Sequence, residues 1–385
     1  MRFRSLGVVL SALVLVACAT TKPAPSQGSP PVPHRPHPHR PAPPSPPQVP
    51  LVELRDLPGW SGEDHAAAFA AFQSTCGVAR DSAMAEVCRR ARAQPRLDRM
   101  AAQAFFEANF RAEPLPAQGL LTAYFAPEYE ARSTRSAEFS APVRGKPSDL
   151  LAVDAGTFDP AQAGRPGAAL SRSGRLEPYP DRARIEAQPP ETPLAWMRPE
   201  ELFFLQIQGS GVLTFEDGRR RKALFAATNG RPFVGIATPM RDKGLLPADN
   251  TSGESIRAWL AAHRGAQADA VMQLNPRYVF FRLGLDDGLP PVGAAGLPLP
   301  GGRAIAVDQT LHEMGEVFWL DGQSPTLVGA FAVYRRLVTA LDTGGAIKGQ
   351  VRADLYLGQG AAAGVEAGRV RHLLKMHRLV PRVGP

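Results

Sequence analysis

Apolar residues between positions 63 and 112 recur at the spacing of an α-helix. Intervals of three and four residues place such side chains on one face of a helix. The pattern predicts a helical region with a buried face formed by Leu97, Met100, Ala101, Ala104, Phe105 and Ala108. We expect these side chains to pack in a core rather than to carry chemistry.

After Gly119 the pattern changes to short runs with strand composition, separated by turn signals. Asp217-Gly218 marks a hairpin turn. Thr251 and Glu254 have the spacing of a capping box that opens a helix through Trp259. The predicted strands of this region are Leu120–Phe125, Leu202–Gln208, Val212–Phe215 and Tyr278–Leu283.

A loop rich in Gly and Pro, residues 288–302, precedes a last group of short strands. Short strands with frequent turns indicate a small β-barrel or a β-sandwich. No period of about 20 to 50 residues repeats, which argues against a solenoid. The predicted strands are Ala304–Val307, Val317–Leu320, Leu327–Leu341 with a break, and Val351–Leu357.

The N-terminus has the pattern of an export signal. Two arginines precede an apolar run, Leu6 to Val16, that is too short to span a bilayer. The run ends at Ala17-Cys18 and resembles the lipobox of bacterial lipoproteins, so residues 1–17 are predicted to be a signal peptide and Cys18 the lipidated residue. An ordinary signal peptide with an accidental Cys is the alternative. Ala19, which is not Asp, favours the outer over the inner membrane by analogy with the enterobacterial sorting rule.

Residues 18–51 are rich in Pro and poor in apolar side chains, so they cannot repay the entropy of folding. They are predicted to form an extended tether, which at about 3.1 Å per residue reaches on the order of 90 Å. The histidines of this segment, His34, His37 and His39, indicate a solvated basic tract rather than a metal site.

The net charge is +8, part of which lies in the signal and the tether. It suits contact with anionic envelope polymers and gives no specific case for nucleic acid. After the anchor only Cys76 and Cys88 remain, and a disulfide or two buried thiols are both compatible with their helical context. No zinc or iron–sulfur spacing is present, and no metal or cofactor is predicted.

Two carboxylates, Asp342 and Asp354, lie in segments that otherwise have the composition of buried strands. Alternation along the last predicted strand puts Arg352, Asp354 and Tyr356 on one face. Such a face could line a sugar-binding cleft, or it could be solvated. The opposite face is predicted to enter the core through Val351, Ala353 and Leu355.

Three short motifs suggest other chemistries. Asp342-Thr343-Gly344 matches the active-site turn of aspartic proteases, but a second such tripeptide is absent, so a protease would have to be a dimer. The run 344–349 lacks the Gly-Lys-Ser/Thr ending of a phosphate loop. Gly209-Ser210-Gly211 is not a hydrolase elbow; it either lets backbone approach a ligand, with Gln208 and Ser210 as hydrogen-bonding groups, or is a plain bulge.

Several longer stretches, taken in order, resemble the membrane-bound lytic murein transglycosylase A family. The last third resembles the three-Asp domain, and its aspartates fall on Asp308, Asp342 and Asp354. The matching stretches are LLTAYFAPEYEARSTRSAEFSAPV (Leu120 to Val143), FFLQIQGSG (Phe203 to Gly211), NGRPF (Asn229 to Phe233), SIRAWL (Ser255 to Leu260), NPRYVFFR (Asn275 to Arg282), AVDQTLHEMGEVFWL (Ala306 to Leu320) and the C-terminal stretch around Asp342 and Asp354.

The resemblance implies a mainly β fold with N-terminal helices. Residues 52–127 and 290–385 would form a double-psi β-barrel, and residues 128–289 a smaller inserted β-domain. The glycan would lie in the groove between them. The implied activity is cleavage of the β-1,4 bond between N-acetylmuramic acid and N-acetylglucosamine in peptidoglycan, with formation of a 1,6-anhydro ring.

The resemblance also assigns roles to residues. Asp354 matches the family's acid, and Asp342 and Asp308 would maintain the shape of the site. Departures from the family's pattern at Ala123, Phe125, Ala126 and Thr228 fall where sugar contacts are expected. The predicted substrate contacts are Thr122, Tyr124, Gln208, Gly209, Ser210 and Lys348.

A raised pKa is required of Asp354, because the acid must begin protonated while a free Asp titrates near ~3.9. Arg352 is therefore expected to point away from it. The predicted partners are peptidoglycan strands and the outer membrane through the lipid anchor, with the protein a monomer in the periplasm. The alternative is a cell-wall-binding lipoprotein without activity.

Overall fold

The computed structural model describes residues 50–247, 250–324 and 329–382. The predicted signal peptide, Cys18 and all but the end of the tether lie outside these residues. Within the described ranges, no helix is long and apolar enough to cross a membrane.

The predicted helical region is confirmed, and it contains three α-helices, each of which begins after an aspartate. The carboxylates of Asp64, Asp81 and Asp98 accept hydrogen bonds from backbone N–H groups of the first turn, which satisfies donors that a helix start leaves open. Cys76 and Cys88 form a disulfide. The helices are α1 (His65–Thr75), α2 (Ser82–Arg92) and α3 (Arg99–Asn109).

The predicted buried face of α3 is wrong by about one residue. Met100 is 73% exposed, whereas Ala102 and Phe106 are fully buried. Many small alanines on both sides of this helix make its apolar stripe broad, and the aromatic side chains decide which part of it enters the core. Phe106 packs edge-on against Phe69 and Phe72 of α1.

A seven-stranded sheet forms from the two ends of the chain in the order β1-β16-β13-β14-β12-β15-β2. β16, which is second in this order, also pairs with β2, which is last, so strands near opposite edges of the sheet are hydrogen-bonded to each other. The strands are β1 (Phe110–Pro114), β2 (Gly119–Ala126), β12 (Ala304–Val307), β13 (Val317–Gln323), β14 (Val333–Thr343), β15 (Arg352–Gln359) and β16 (Arg371–Pro381).

Alternate side chains of these strands enter two different clusters. On β13, Phe318 and Leu320 enter a cluster that the strands form among themselves, whereas Val317 and Trp319 pack against the N-terminal helices. The indole of Trp319 lies 5.3 Å from that of Trp60. The N-terminal helices therefore cover one side of the sheet, through contacts with side chains of β13, β14 and β16.

Residues 128–285 form the middle of the chain, between β2 and β12. Its largest sheet has the order β11-β10-β9-β3, and two smaller sheets have the orders β4-β8 and β5-β6-β7. The strands are β3 (Glu128–Glu130), β4 (Ala141–Val143), β5 (Leu151–Asp154), β6 (Pro166–Arg172), β7 (Arg175–Pro178), β8 (Ala195–Met197), β9 (Gly211–Thr214), β10 (Arg220–Thr228) and β11 (Val279–Leu285).

Five helices accompany these strands, and a ninth follows β15. The predicted hairpin at Asp217-Gly218 joins β9 to β10, with Arg220 opposite Thr214. The helices are α4 (Arg182–Glu186), α5 (Pro199–Gln208), α6 (Ala237–Asp242), α7 (Gly253–Ala262), α8 (Ala266–Met272) and α9 (Gly360–Ala367).

The predicted strand Leu202–Gln208 is wrong, because this stretch is helix α5. Leu202, Phe203, Phe204 and Leu205 are all buried, so the run shows neither the alternation of a strand nor the stripe of a surface helix. The deciding signals lie at the ends. Pro199 opens the helix at its first turn, and Gly209, with φ of +85°, ends it in the left-handed region.

The predicted capping box of Thr251 and Glu254 is wrong, because the cap lies one residue later and Ser255 occupies the third helical position. Helix α7 begins after Ser252, whose hydroxyl accepts from the N–H of Ser255 at 3.2 Å, so Thr251 is not the cap. The other predicted strands are confirmed to within a few residues where the structure describes them. Residues 325–328, at the start of the predicted strand Leu327–Leu341, lie outside the described ranges.

Candidate active site

Both strand aspartates lie beside the same small residue. Ala306 of β12 pairs with Asp342 of β14 on one side and with Asp354 of β15 on the other. Asp354 pairs in turn with Thr122 of β2. Residues directly opposite one another in a sheet point to the same face, so the register brings the two carboxylates and the hydroxyl together.

The alternation predicted for β15 is confirmed. Val351, Ala353 and Leu355 are buried in the interior cluster, and Asp354 is half-buried on the opposite face. Tyr356 is almost fully buried beside it. The face is therefore not simply solvated.

An irregularity in β14 brings Asp342 to this face. Ile305 pairs with Ala340, but the next residue, Ala306, pairs with Asp342, so Leu341 is an extra residue in the strand. A bulge of this kind redirects the side chains that follow it. Ala340 enters the interior cluster, and Leu341 packs on the other face with Tyr356.

Asp354 is held by a short hydrogen bond. The hydroxyl of Thr122 donates to Oδ1 of Asp354 at 2.5 Å. Burial raises the pKa of the Asp354 carboxyl, the charge of Arg352 and this hydrogen bond act to lower it, and the charge of Asp342 acts to raise it. The result is a raised pKa, which favours the protonated form.

Arg352 does not point away from the acid, and this expectation is corrected. Its Nη2 donates to Oγ1 of Thr122 at 2.9 Å, and its Nη1 donates to the carbonyl of Ala353 at 2.6 Å. Arg352 and Asp354 share a face of β15, so a side chain as long as arginine reaches the group that binds the carboxylate. The guanidinium is thus connected to Asp354 through Thr122.

Asp342 has a different set of partners. The hydroxyl of Tyr124 donates to Oδ2 at 2.6 Å, and the N–H of Ala294 donates to Oδ1 at 3.0 Å. Burial raises the pKa of Asp342, although both hydrogen bonds act to lower it. Burial also raises the pKa of Tyr124 well above its ordinary value, as does the charge of Asp342, so the phenol remains a donor.

No hydrogen bond joins the two carboxylates in the described part of the chain. Each carboxyl group instead has its own hydroxyl donor, Thr122 for Asp354 and Tyr124 for Asp342. The dyad of an aspartic protease shares one proton between adjacent carboxylates. Within this chain, the two carboxyl groups therefore do not form such a dyad, and both oxygens of Asp342 already accept from Tyr124 and Ala294.

Asp308 is buried and stabilises a loop. Oδ1 accepts from the N–H and the hydroxyl of Thr310, and Oδ2 accepts from the N–H of Gly349 at 3.0 Å. Burial acts to raise its pKa, but these hydrogen bonds and the charge of Lys348 outweigh it, so the pKa is lowered. Nζ of Lys348 lies 3.6 Å from Oδ1.

The loop between β14 and β15 has a second anchor that the sequence did not suggest. The ring of His312 lies between the carboxylate of Glu316, 2.9 Å from Nδ1, and the carbonyl of Gln350, 2.8 Å from Nε2. Asp308 and His312 therefore hold neighbouring residues of the loop that joins the two strand aspartates. The signal available in the sequence is a His four residues before Glu316, in the segment between β12 and β13.

Gln208, Gly209 and Ser210 lie where helix α5 meets β2. Oε1 of Gln208 accepts from the N–H of Phe125 at 3.2 Å, and Gly209 is the helix cap. Gly209 therefore ends a helix, and the alternative that this tripeptide is a plain bulge in a strand is wrong. Ser210 is half-buried beside this junction.

The departures from the family's pattern fall in different environments. Ala126 is buried in the cluster that contains Tyr356, and Thr228 pairs with Val279 inside the middle sheet. Phe125 lies against Gly364 of α9, where an added Cβ would come within 2.9 Å of the ring. Ala123 is half-buried beside the interior cluster.

A cavity of about 940 Å³ lies apart from the aspartates, between α1 and the outer side of β13 and β14. Its lining includes Glu63, Arg303, Trp319 and Arg335. The ion pair between Arg303 and Glu63, at 2.9 Å, is buried in its wall. None of Asp308, Asp342 and Asp354 lines this cavity.

Comparison with known proteins gives two family matches. Residues 120–282 match the model described as the MltA specific insert domain, and residues 303–380 match the 3D domain. The membrane-bound lytic murein transglycosylase A of Escherichia coli (strain K12) is 31% identical over 261 residues, which cover 65% of this chain and 62% of that relative. The chain thus spans less than two thirds of that curated relative.

Solved structures match over more of their length. The crystal structure of a membrane-bound lytic murein transglycosylase from Agrobacterium tumefaciens has a TM-score of 0.73 and 32% identity, and covers 86% of this chain and 97% of that one. MltA from Neisseria gonorrhoeae in its monoclinic form has a TM-score of 0.72 and 28% identity, and covers 87% of this chain and 93% of that one. On these matches of sequence and fold, the chain belongs to the membrane-bound lytic murein transglycosylase A family.

Proposed function

We propose that this protein is a lytic transglycosylase that cleaves the β-1,4 bond between N-acetylmuramic acid and N-acetylglucosamine in peptidoglycan. The observation that carries the proposal is Asp354, a half-buried carboxyl whose pKa is raised by burial. Its neighbour Asp342 is bound through both oxygens. A single carboxyl group that changes its protonation state suits a reaction in which the substrate supplies its own nucleophile.

In the first step, protonated Asp354 gives its proton to the glycosidic oxygen as the bond from that oxygen to C1 of the muramoyl residue breaks. The Asp354 carboxylate then takes the proton of the muramoyl C6 hydroxyl. The oxygen of that hydroxyl bonds to C1 and closes the 1,6-anhydro ring. The acid is regenerated, and no water enters the product. Holding the hydroxyl against C1 provides an intramolecular advantage that reaches about 7 to 11 kcal/mol in well-oriented cases.

Ordinary glycosidases need two carboxyl groups, one of which attacks or activates water. Asp342 is a poor candidate for that second role, because Tyr124 and Ala294 occupy its oxygens. We infer that it maintains the shape of the site and that its charge contributes to the raised pKa of Asp354. Asp308 acts at a further remove, through the loop that it anchors.

The proposed glycan groove lies between two domains, residues 52–127 with 290–385 and residues 128–289. The family matches support this division, since the insert-domain match ends at 282 and the 3D match begins at 303. A double-psi β-barrel is the proposed form of the first domain. It is supported by the pairing order, in which β16 contacts both β13 and β2.

Sugar contacts are proposed for Tyr124, Gln208, Gly209, Ser210 and Lys348, and for Thr122 through its bond to the acid. Gln208 and Ser210 lie at the junction of α5 with β2, beside the strand that carries Thr122. Lys348 is 39% exposed at its side chain while it pairs with Asp308, so its remaining donors can reach a ligand.

We further propose that the protein is a monomeric outer-membrane lipoprotein facing the periplasm, lipidated at Cys18 and tethered by residues 18–51. Its partners would be peptidoglycan strands and the membrane, without a cofactor, a metal or nucleic acid. The membrane-bound relatives support an association with a membrane.

Asp354→Asn tests the catalytic role. Asn cannot donate and then accept the proton, so release of anhydro-muropeptides from purified sacculi should fall by at least about 1,000-fold. This lies in the upper half of the range of about 10²–10⁴ that is typical of general acid–base catalysis, because the residue serves both steps. Asp217→Asn, in the exposed β9–β10 turn, is the control and should act as wild type. Near-normal release by a folded Asp354→Asn protein would contradict the assignment.

The alternative of a binding lipoprotein without activity makes the opposite prediction for the unmodified protein. Wild-type protein would then bind sacculi and release no soluble muropeptides. Binding without release by wild type rejects the enzyme, whereas release by wild type and binding without release by Asp354→Asn support it.

A further inference from the structure

Arg352, Thr122 and Asp354 form a continuous hydrogen-bonded series on one face of the sheet. Nη2 of Arg352 lies 2.9 Å from Oγ1 of Thr122, which lies 2.5 Å from Oδ1 of Asp354. Thr122 and Asp354 are also directly opposite each other in the parallel pairing of β2 with β15. The side chains are therefore aligned by the backbone as well as by their own contacts.

The directions of these hydrogen bonds follow from the groups involved. A guanidinium only donates, so Arg352 must donate to Oγ1 of Thr122. A hydroxyl has one hydrogen, and the acceptor within reach of Thr122 among the described residues is Oδ1 of Asp354. If Oδ1 carried a proton and donated to Thr122, the threonine hydrogen would have no acceptor in the described structure. That arrangement would leave a half-buried donor unsatisfied.

We propose that Arg352 is a positioning residue, which orients the Thr122 hydroxyl so that Oδ1 of Asp354 remains an acceptor and the transferable proton sits on Oδ2. Oδ2 then both gives the proton to the glycosidic oxygen and takes the proton of the C6 hydroxyl. The inference rests on the proposed transglycosylase function and extends it to the atoms of the acid.

The guanidinium is itself fixed by the two strands. Its Nη1 donates to the carbonyl of Ala353 at 2.6 Å and lies 3.4 Å from the carbonyl of Leu120. A planar fork can make these bonds and still donate to Thr122 through Nη2. The ammonium of lysine is a single point with a flexible stem and cannot reproduce that geometry.

Several charged or titratable groups surround Asp354. Asp342 lies across Ala306 on β14, Tyr124 follows Thr122 by two residues on β2, and Arg371 of β16 is opposite Thr122. Arg352 and Tyr356 share the face of β15. A test must keep these charges constant, so that a changed rate reports orientation rather than net charge.

The test is a double-mutant cycle made with Arg352→Lys, which keeps the charge, and Thr122→Val, which removes only the hydroxyl. Each single change should lower kcat for anhydro-muropeptide release by about tenfold or more, since a hydrogen bond to a charged group is lost. Because Arg352 acts through Thr122, the double variant should be no more than about twofold slower than Thr122→Val. Thr122→Ser keeps the hydroxyl and should restore kcat to within about threefold.

The pH profile adds a readout that a loss of folding would not change. Thr122 donates to the carboxylate, so its removal raises the pKa of Asp354, and the fall of kcat at alkaline pH should move to higher pH in Thr122→Val. Arg335→Lys is the matched control. It replaces a guanidinium of β14 that donates to Asp321 of β13 in the same sheet, beside the cavity that none of the three aspartates lines, and should leave kcat unchanged.

Multiplying effects in the double variant, or a rescue that fails with Thr122→Ser, would overturn the inference. So would an unchanged alkaline limb in Thr122→Val. These outcomes are distinct from failure of the proposed function, because in that case wild type itself would release no 1,6-anhydro product.

Discussion

At the scale of single residues, the candidate site depends on which hydroxyl serves which carboxyl group. Thr122 and Tyr124 lie two apart on β2, so they share a face, and each donates to a different aspartate. Ala306 between the aspartates has only a methyl group, which leaves the space above it open to both side chains. The strand register thus places a small residue between the two acidic ones.

Tyr124→Phe is predicted to change the pH dependence in the direction opposite to Thr122→Val. Without the phenol, Asp342 loses a donor to its carboxylate and its pKa rises further, so it is more often neutral. A neutral Asp342 no longer raises the pKa of Asp354. The alkaline fall of kcat should therefore move to lower pH, measured on sacculi across the pH range.

The ring of Tyr124 lies 5.3 Å from that of Tyr356, and Phe preserves this contact. The fold should therefore be retained, and the melting temperature should fall by the equivalent of at most about 1 to 3 kcal/mol, because one oxygen of Asp342 loses its donor. An alkaline limb that stays in place, or moves to higher pH, would contradict the role given to Asp342.

Sequence reasoning found the aspartates but not their contacts. Alternation along β15 correctly separated Asp354 from Val351 and Leu355, because side-chain period is a local property. The orientation of Arg352 depended on Thr122, which is remote in sequence and becomes its neighbour only through strand pairing. No local pattern carries that information, and the expectation for Arg352 was wrong for this reason.

At the level of elements, the loop between β14 and β15 joins the two strands that carry the aspartates and is held at its end by two contacts. Asp308, at the end of β12, accepts from the N–H of Gly349, and His312 contacts the carbonyl of Gln350. These two contacts hold the end of the loop against the strand that separates the aspartates.

Asp308→Asn is predicted to lower the free energy of unfolding and to leave most of the catalytic activity of Asp354 in place. One amide nitrogen replaces an accepting oxygen, so at least one buried N–H loses its partner, at a cost of about 1 to 3 kcal/mol in the free energy of unfolding. Urea denaturation measures this loss. The rate of product release should fall far less than in Asp354→Asn.

The pH dependence of this loss has a defined sign. The pKa of Asp308 is lowered in the folded state, so its stabilisation is present above the unfolded value of 3.8 and is lost as the pH falls through the folded value. The difference between wild type and Asp308→Asn should therefore shrink below about pH 4. A difference that grows towards acid pH would contradict this account.

Asp286→Asn is the matched control. The pKa of the Asp286 carboxyl is also lowered, by an ion pair with Arg220, and the side chain of Arg220 is 43% exposed. Exposed pairs contribute about 0 to 1 kcal/mol. The control should lose less stability than Asp308→Asn.

The type of an element could be predicted where its apolar residues lie on one side. The prediction failed where the element is buried on all sides. The strands β2, β12, β13 and β15 follow their predicted bounds closely, whereas α5, apolar on all sides, was assigned as a strand. The end signals Pro199 and Gly209 identify it as a helix. Burial on every side removes the period, so only the ends remain informative.

At the scale of the whole molecule, the site is assembled from distant parts of the chain. β2 comes before the middle region, and β12, β14 and β15 come after it, yet they are neighbours in one sheet. Composition and strand spacing indicated a small barrel or a sandwich without deciding between them. The order of the strands could be expected only from the family resemblance, because pairing across a long insertion leaves no local trace.

In the proposed reaction the muramoyl C6 hydroxyl, and not water, attacks C1. Purified sacculi digested by the wild-type protein in water enriched in oxygen-18 test it directly, with mass spectrometry of the released muropeptides. Attack by the C6 hydroxyl gives products that lack the mass of one water relative to hydrolytic muropeptides and contain no oxygen-18. Products with a reducing muramoyl end that carries the heavy isotope would contradict it.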